Sequence, residues 1–400
     1  MDYGVERPAG RFRVRRVPGR VSRIGRQRVG GRSMAASPLR NIDPVLILTT
    51  LMLTAIGALM IYSASFSQLR DQGFPKRFLM NRQILFAALG IGAATIAAVV
   101  PYRRFQSWSW GVYGVAFALL VAVLTAVGDA ALGAQRWIDI GPLQLQPSEL
   151  MKVGVVLVLA AALAGARGQP GGLDVVRAIG IVAIPALLIY RQPDLGTLLV
   201  LLAIAFGMLV VAGTRLRTLL LLAALGVAAA WGALHLDVLE DYQKARLVGF
   251  LDPSADPQAT GYNLNQAKIA VGSGGLTGKG LFQGTQTNLD FVPEQHTDFI
   301  FTAVGEETGF AGAAGLLALY AVFLWRGVRI AMRSTDLFGT LIAAGVVSMI
   351  TFQVFVNVGM TIGLAPITGI PLPFVSYGGS SLITNFIATG LLLNVHMRRA

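Results

Sequence analysis

The chain has 400 residues, of which 54% are hydrophobic and only 13% are charged, so it fits poorly among water-soluble globular proteins. Its formal net charge of +13 is concentrated in residues 1–40, which contain eleven Arg and two acidic residues, so the charge does not indicate a nucleic-acid partner. The absence of Cys excludes a disulfide scaffold, a thiol nucleophile and a thiolate metal site. The composition therefore predicts a membrane protein.

The N-terminal segment, residues 1–40, is rich in Arg, Gly and Pro and has almost no apolar content. Such a segment buries too little surface to offset its ordering entropy, so we expect a basic, disordered cytoplasmic tail. One interpretation of its charge is attraction to anionic lipid headgroups or nucleic acid. We favour the other interpretation, a solvated cytoplasmic extension that reinforces the membrane topology. Met34 is an alternative start of translation.

Ten apolar segments follow the tail, and a helix needs roughly 20 such residues to cross a hydrocarbon core. The clearest is VLILTTLMLTAIGALMIYSASF, and the weakest is AIGIVAIPALLIY, which Pro185 interrupts. Short, Pro-interrupted spans often border a cavity. We expect an all-α integral membrane protein of ten transmembrane helices within residues 41–400, near 45–66, 83–100, 108–128, 147–166, 175–190, 195–214, 217–236, 298–325, 337–360 and 378–396.

Arg residues collect in alternate loops between these spans, and short cytoplasmic loops retain positive charge. We therefore place both termini and the Arg-rich loops, such as the one with Arg103 and Arg104, in the cytoplasm. The outer side then receives a large loop at about 237–297, between the seventh and eighth helices. We expect the chain to lie in the cytoplasmic (inner) membrane, with this large loop on the outer face.

The glycine-rich stretch GSGGLTGKG, residues 272–280, superficially resembles a phosphate-binding loop. A Walker A loop needs Gly five places before the Gly-Lys pair and Ser or Thr after the Lys, where this chain has Ser273 and Gly280. We therefore interpret the stretch as a turn-rich external segment.

Charged residues recur at the outer ends of the spans, where polar groups are costly unless they face a cavity or a partner. Glu149 and Lys152 are three residues apart at the start of the fourth span, so they share a helix face and either serve a site or neutralise each other. Arg136 and Trp137 precede them in the segment GAQRWIDIGPLQLQPSELMK.

More charges lie at the same predicted depth. Arg191 and Asp194 lie in RQPDLGT, and Arg82 opens the second span. Several cations at one depth suit a pyrophosphate or other anionic headgroup, because Arg offers a two-pronged contact to phosphate oxygens. Each cation alone is also compatible with snorkelling.

The large outer loop contains two Asp-Pro pairs, which begin at Asp252 and Asp256. Such pairs hold a carboxylate toward a site or simply form turns. Lys268 follows Asp256 by twelve residues. Further along, a run of His296, Asp298, Glu306 and Glu307 enters the eighth span, where adjacent acids require a polar environment or protonation.

Five segments in order make the chain resemble the SEDS family of cell-wall polymerases (shape, elongation, division and sporulation), and within it the RodA type. The resemblance covers about residues 41–400. The segments that carry it are GAQRWIDIGPLQLQPSE, QPDLGT, DPQATGYNLNQAKIAVGSGGLTGKG, FVPEQHTDFIFTAVGEETG and GLAPITGIPLPFVSYGGSS. The division type, FtsW, typically has Lys where this chain has Thr368, so it is the less favoured subfamily.

The resemblance implies a peptidoglycan glycosyltransferase that polymerises lipid II for cell elongation together with a class B penicillin-binding protein and elongation-complex membrane proteins. The family's essential Asp maps to Asp256, with Asp252 as the second choice. Its Arg-Trp pair maps to Arg136 and Trp137, and its charged cavity residues map to Glu149, Lys152 and Asp194.

Two further substrate contacts and one cation site complete this hypothesis. Lys268 and Arg82 are further candidate substrate contacts, and Asp256 and Asp194 are candidate ligands of a divalent cation (Mg²⁺ or Mn²⁺) that sequence alone neither requires nor excludes. The main rival is a flippase or transporter of a lipid-linked sugar, since many spans with charges in the membrane suit transport equally well. A scaffold that only recruits a transpeptidase is a third alternative.

Overall fold

The computed structural model describes Met1 and residues 41–125, 129–131, 134–141, 143–166, 168–235, 243, 244, 246, 249, 250, 260–289 and 291–398. Apart from Met1, the predicted tail lies outside these residues. In chain order the elements are α1 (Pro44–Asp71), α2 (Phe78–Val99), α3 (Tyr102–Val123), β1 (Asp129–Ala131), β2 (Ala134–Ile140), β3 (Leu143–Leu145), α4 (Pro147–Ala164), α5 (Gly172–Arg191), α6 (Leu195–Val211), α7 (Leu216–His235), α8 (Thr260–Ser273), α9 (Thr285–Asn288), α10 (Ile300–Met332), α11 (Leu337–Ile362) and α12 (Gly379–Met397).

Eight of the described helices are long and apolar enough to cross a membrane, namely α1 to α5, α7, α10 and α11. The apolar helix α6 is shorter, at 17 residues, and α12 has 19 residues. The chain is thus a multi-pass, helical membrane protein, as predicted. The exact count of ten spans stays a prediction, although every predicted segment overlaps a helix.

Helices α4 and α11 form the centre of the bundle. In their most apolar stretches 78% and 67% of the residues are buried inside the protein, against 0% for α7. The fully buried polar side chains of Gln353 and Asn357 on α11 therefore face protein or a cavity rather than lipid. The two helices pack against each other.

The fifth helix runs continuously through Pro185, whereas the sequence indicated a broken span. Proline has no N–H to donate to the carbonyl four residues earlier, which is that of Ile181. The hydroxyl of Tyr113 on α3 donates to that carbonyl oxygen at 2.8 Å. The neighbouring helix thereby satisfies the acceptor that Pro185 leaves unpaired.

The loop between α3 and α4 folds into a three-stranded antiparallel sheet, which the sequence analysis did not predict. Ile138 pairs with Leu145, and Ile140 pairs with Leu143. Apolar residues alternate with polar ones across this stretch, which is the strand signal. The strands have only 3, 7 and 3 residues, so this alternation is a weak signal beside the much longer apolar helices.

The glycine-rich segment 272–280 packs into a break in α10. Gly309 adopts φ 65°, outside the helical range, and interrupts the helix there. The backbone N–H of Lys279 donates to the carbonyl oxygen of Glu306 at 3.0 Å, just before this break. A Cβ on Gly278 would lie 2.1 Å from the carbonyl oxygen of Glu307, so only glycine permits this approach. The segment thus has a structural role.

The adjacent acids of α10 have the polar surroundings that the sequence required. The Glu306 carboxylate accepts from the ammonium of Lys279 at 2.8 Å and from the N–H and hydroxyl of Thr287 at 2.9 and 2.7 Å. Glu307 accepts from the hydroxyl of Ser63 on α1. Glu306 therefore anchors α9 and the segment before it to α10.

Candidate active site

A cavity of about 670 Å³ opens at the end of the bundle where α4, α6 and α12 begin. Its walls come from α2, the small sheet, the three helix starts, α11 and the segments that precede α10 and α12. Six of the nine predicted site residues line it: Arg82, Arg136, Trp137, Glu149, Lys152 and Asp194.

Glu149 and Lys152 form a buried ion pair on the first turns of α4. Their Oε2 and Nζ atoms are 2.7 Å apart, and the two side chains are 3% and 1% exposed. Helical geometry brings residues three apart onto one face, so α4 itself aligns the pair. The two alternatives of the sequence analysis coexist here, because the residues neutralise each other and also line the cavity.

Asp194 joins the starts of α4 and α6. Its Oδ1 accepts from the N–H of Thr197 at 3.0 Å and so caps α6. Its Oδ2 accepts from the amide of Gln146 at 3.2 Å and from the hydroxyl of Ser148 at 3.3 Å. The Asp194 carboxylate therefore has a structural function in addition to its place in the cavity wall.

Arg136 ties the sheet to the turn between α5 and α6. Its Nε donates to the carbonyl oxygen of Gln192 at 2.8 Å, and its Nη2 donates to that of Pro193. These two contacts fix the guanidinium plane at the cavity, beside Trp137 on the same strand. An ordered guanidinium loses less entropy when it binds an anion.

The opposite wall consists of two segments that Asn357 of α11 holds together. Its amide nitrogen donates to the carbonyl oxygens of Asp298 and Ile370, each at 2.8 Å. The N–H of Tyr377 donates to the carbonyl oxygen of His296 at 2.9 Å. The His296-Thr-Asp298 run, noted in the sequence but not predicted as part of the site, therefore lies in the cavity wall.

Asp298 has a strongly perturbed carboxyl group. Burial, reinforced by the negative charges of Glu294 and Asp194, raises its pKa from the ordinary 3.8 to about 6, although Arg246 and Arg136 oppose the shift. A carboxyl group that titrates near neutral pH in a cleft is typical of functional sites.

The charges around the cavity balance. Four basic and four acidic side chains line it: Arg82, Arg136, Lys152 and Arg246, with Glu149, Asp194, Glu294 and Asp298. The cavity is therefore a mixed polar site with local cationic groups, which differs from a uniformly basic funnel.

Sequence reasoning missed Arg246, Glu294 and Gln353 as cavity residues. Gln353 did give a signal, since a polar residue inside an apolar span is costly and usually faces a cavity. Arg246 is helical within the predicted outer loop, and Glu294 lies in a turn before α10, where no periodic pattern distinguishes a residue that faces a site from one that faces solvent.

Three predicted residues are not placed in the cavity. Lys268 is exposed on α8 and packs against Gly363, where an added Cβ would lie 2.0 Å from the Lys268 Cε. Asp252 and Asp256 lie outside the described residues.

The described part of the chain does not supply a metal-ligand set. It contains no group of three or more His, Cys, Asp or Glu side chains arranged to hold an ion. Both oxygens of Asp194, the described candidate ligand, already accept hydrogen bonds from protein groups.

Comparison with known proteins identifies close relatives. Residues 44–400 match the family model FTSW_RODA_SPOVE, described as a cell cycle protein. The chain is 40% identical over 359 residues to peptidoglycan glycosyltransferase MrdB of Escherichia coli (strain K12), covering 90% of this chain and 94% of that protein. It is 41% identical over 357 residues to stage V sporulation protein E of Bacillus subtilis (strain 168), covering 88% and 96%.

A solved structure shares the fold. A chain in the structure described as "Structural coordination of polymerization and crosslinking by a peptidoglycan synthase complex" superposes with a TM-score of 0.76 and 33% sequence identity. The match covers 89% of this chain and 97% of that chain.

Proposed function

The chain belongs to the FtsW, RodA and SpoVE family, and we propose on that basis that it is a peptidoglycan glycosyltransferase that polymerises lipid II into glycan strands. The observation that carries the proposal is the cavity, in which Arg82, Arg136, Trp137, Glu149, Lys152 and Asp194 meet although they come from four separate parts of the chain. The GIPLPFVSYGGSS segment, which follows Thr368, favours a role in cell elongation and rod shape over an FtsW-type role in division.

The reaction is one displacement with inversion, because lipid II carries its sugar on pyrophosphate through an α linkage and the polymer bond is β-1,4. The 4-hydroxyl oxygen of the acceptor sugar attacks C1 of the donor sugar, and the bond from C1 to the pyrophosphate oxygen breaks. The carboxylate of Asp256 accepts the hydroxyl proton, a contribution of about 10² to 10⁴ in rate. Asp252 is the second choice for this base.

The position of Arg246 supports this assignment. It lies ten residues before Asp256 in the same loop and lines the cavity, so the loop approaches the cavity wall. Lys268 is exposed on α8, so we propose that it contacts the substrate outside the cavity.

The departing undecaprenyl pyrophosphate gains negative charge in the transition state, and preoriented cations stabilise it. Arg136, two of whose N–H groups are fixed on backbone carbonyls, is an ordered cation for this role. Arg82 and Arg246 line the same cavity. Lys152 contributes less net charge because Glu149 neutralises it.

A divalent cation, Mg²⁺ or Mn²⁺, enters the proposal only as a companion of the pyrophosphate. Mg²⁺ commonly binds through one or two carboxylates together with substrate phosphates, and Asp256 would be its protein ligand. Such an ion would supply charge neutralisation. Asp194, the other candidate ligand, lines the cavity, but both of its carboxylate oxygens accept hydrogen bonds from protein groups, so no step above depends on the ion.

We place the protein in the cytoplasmic (inner) membrane, with both termini in the cytoplasm and the cavity on the outer face. The distribution of Arg among the loops supports this orientation. We further propose a class B penicillin-binding protein as partner transpeptidase, within an elongation complex. The likeness to a chain from a peptidoglycan synthase complex supports such an assembly.

One assay separates this function from lipid transport. Purified full-length protein is supplied with lipid II in detergent, and glycan products are resolved by length. We expect polymer from protein and lipid II alone. Movement of lipid II across sealed vesicles without any polymer would instead establish the flippase alternative.

A further inference from the structure

Gln353 is a buried amide with no protein partner in the described part of the chain. It lies on the central helix α11, is 0% exposed and lines the cavity. Neither Nε2 nor Oε1 has a hydrogen-bond partner, and among the described Asn and Gln side chains it is the only buried one for which both atoms lack one.

An unpaired amide at this place is unfavourable, since a buried polar group without a partner retains its desolvation penalty. Every other buried Asn or Gln side chain among the described residues has at most one amide atom without a partner. Gln83, for example, is also 0% exposed and donates from Nε2 to the carbonyl oxygen of Ser376 at 3.3 Å. The orientation of Gln353 toward a polar cavity indicates that a group inside the cavity completes its hydrogen bonds.

The chemistry of that group follows from the neighbouring charges. The Glu149–Lys152 pair lines the same cavity from α4, which packs against α11, and the pair has no net charge. A pyrophosphate only accepts hydrogen bonds, so it would leave the Gln353 Oε1 unpaired. Sugar hydroxyl and N-acetyl groups are uncharged and offer both donors and acceptors.

We propose that Gln353, together with the Glu149–Lys152 pair, forms a subsite for the uncharged sugar part of lipid II. The Gln353 Nε2 donates to a sugar oxygen, and its Oε1 accepts from a sugar hydroxyl or amide N–H. The pyrophosphate then lies at the guanidinium groups of Arg82, Arg136 and Arg246. This inference rests on the proposed function and assigns the part of the substrate that each part of the cavity binds.

The test compares two lipids that share undecaprenyl pyrophosphate and differ in whether they carry the disaccharide with its attached peptide. Binding of lipid II and of undecaprenyl pyrophosphate, which lacks the sugar, is measured with full-length wild type, Gln353→Leu and Gln83→Leu in detergent. We expect Gln353→Leu to weaken lipid II binding by about tenfold, the effect of about one to two hydrogen bonds. Its affinity for undecaprenyl pyrophosphate should stay unchanged.

Thermal unfolding without lipid provides the matched control. Gln353→Leu removes no protein hydrogen bond and should unfold at or above the wild-type temperature. Gln83→Leu removes its bond to Ser376 and should unfold at a lower temperature while it keeps both affinities. Gln353→Met, which is closer in shape, repeats the comparison if the Leu variant does not fold.

Three results would overturn the subsite. The first is an equal loss of affinity for both lipids, and the second is no loss of affinity for either. The third is a lower unfolding temperature in both Gln353 variants with an unchanged ratio of the affinities for the two lipids. The outcome is separable from the proposed function. A wild-type protein that makes polymer while Gln353→Leu binds lipid II normally contradicts the subsite alone, whereas a wild type that binds lipid II but makes no polymer contradicts the function.

Discussion

The carboxylate of Glu149 and the ammonium of Lys152 lie 2.7 Å apart in the interior of the bundle, and both side chains are almost completely buried. Each residue makes the charge of the other tolerable in a low-dielectric environment. The pair leaves the α4 wall without net charge, and the remaining charged groups of the cavity are three guanidinium groups and three carboxylates.

Removal of one partner of this pair should be far more damaging than removal of both. Glu149→Gln or Lys152→Met alone leaves an uncompensated buried charge and should lower the free energy of unfolding by about 3–5 kcal/mol. The double variant should regain most of that loss. Thermal unfolding of the four proteins in one detergent measures the cycle. Additive losses in the double variant would show that the two charges do not interact.

Activity should separate from stability in the same double variant. Both side chains line the cavity, so the double variant, although folded, should polymerise lipid II at least tenfold more slowly than wild type. Wild-type polymerisation by the double variant would assign the pair a purely structural role.

Arg136 should be sensitive even to a change that preserves its charge. Lysine lacks the planar fork with which Arg136 contacts the carbonyl oxygens of Gln192 and Pro193. We expect Arg136→Lys to lower kcat/KM for lipid II by about tenfold or more, a loss of about 1.4 kcal/mol in transition-state stabilisation. Arg103→Lys is the matched control, because Arg103 is 79% exposed at the other end of the bundle. Equal kinetics for the two variants would contradict an ordered role for the Arg136 guanidinium.

Asp298 should make stability depend on pH in a defined direction. Its folded-state pKa of about 6 exceeds the ordinary 3.8, so between these values the folded protein binds more protons than the unfolded chain. Stability from this group is present at pH 4 and is lost as pH rises through 6. The melting temperature of Asp298→Asn, relative to wild type, should therefore increase between pH 4 and pH 7. A difference that stays constant across this range would contradict the raised pKa.

Glu306 should control the order of the segment that contains α9. Glu306→Gln removes the ion pair with Lys279 and weakens the contacts to Thr287. We expect a lower unfolding temperature and faster proteolysis within residues 274–288. Asp174→Asn, which removes the partly exposed ion pair with Arg177 at 3.9 Å and keeps an amide oxygen to accept from the N–H of Gly171, should behave like wild type. Identical protease sensitivity of the two variants would argue against the anchor.

Most of the fold could be predicted from the sequence, because the length of an apolar segment directly indicates a membrane helix. The path of α5 through Pro185 was not accessible, since it depends on the Tyr113 hydroxyl from another helix. The small sheet carried a strand pattern only a few residues long. The break at Gly309 depends on contacts with a segment about 30 residues earlier in the chain, which no local pattern reveals.

The cavity was accessible in part. Charges at span ends pointed to Arg136, Glu149, Lys152 and Asp194, because polar groups there are costly without a function. The hydrogen bonds of these side chains could not be predicted from the sequence. The bond by which Asp194 caps α6, for example, is visible only in the structure. Arg246, which is helical, lines the cavity from the predicted outer loop, and tertiary contacts rather than a local pattern set that position.

The central claim is that this cavity transfers sugar from lipid II with Asp256 as the base. Polymerisation of lipid II by purified Asp256→Ala, with Asp252→Ala as the neighbouring control and with and without divalent cation, tests it most directly. The account predicts that Asp256→Ala loses about 10² to 10⁴ in rate in both conditions while lipid II binding and thermal stability are retained. Full polymerisation by a folded Asp256→Ala protein would contradict it.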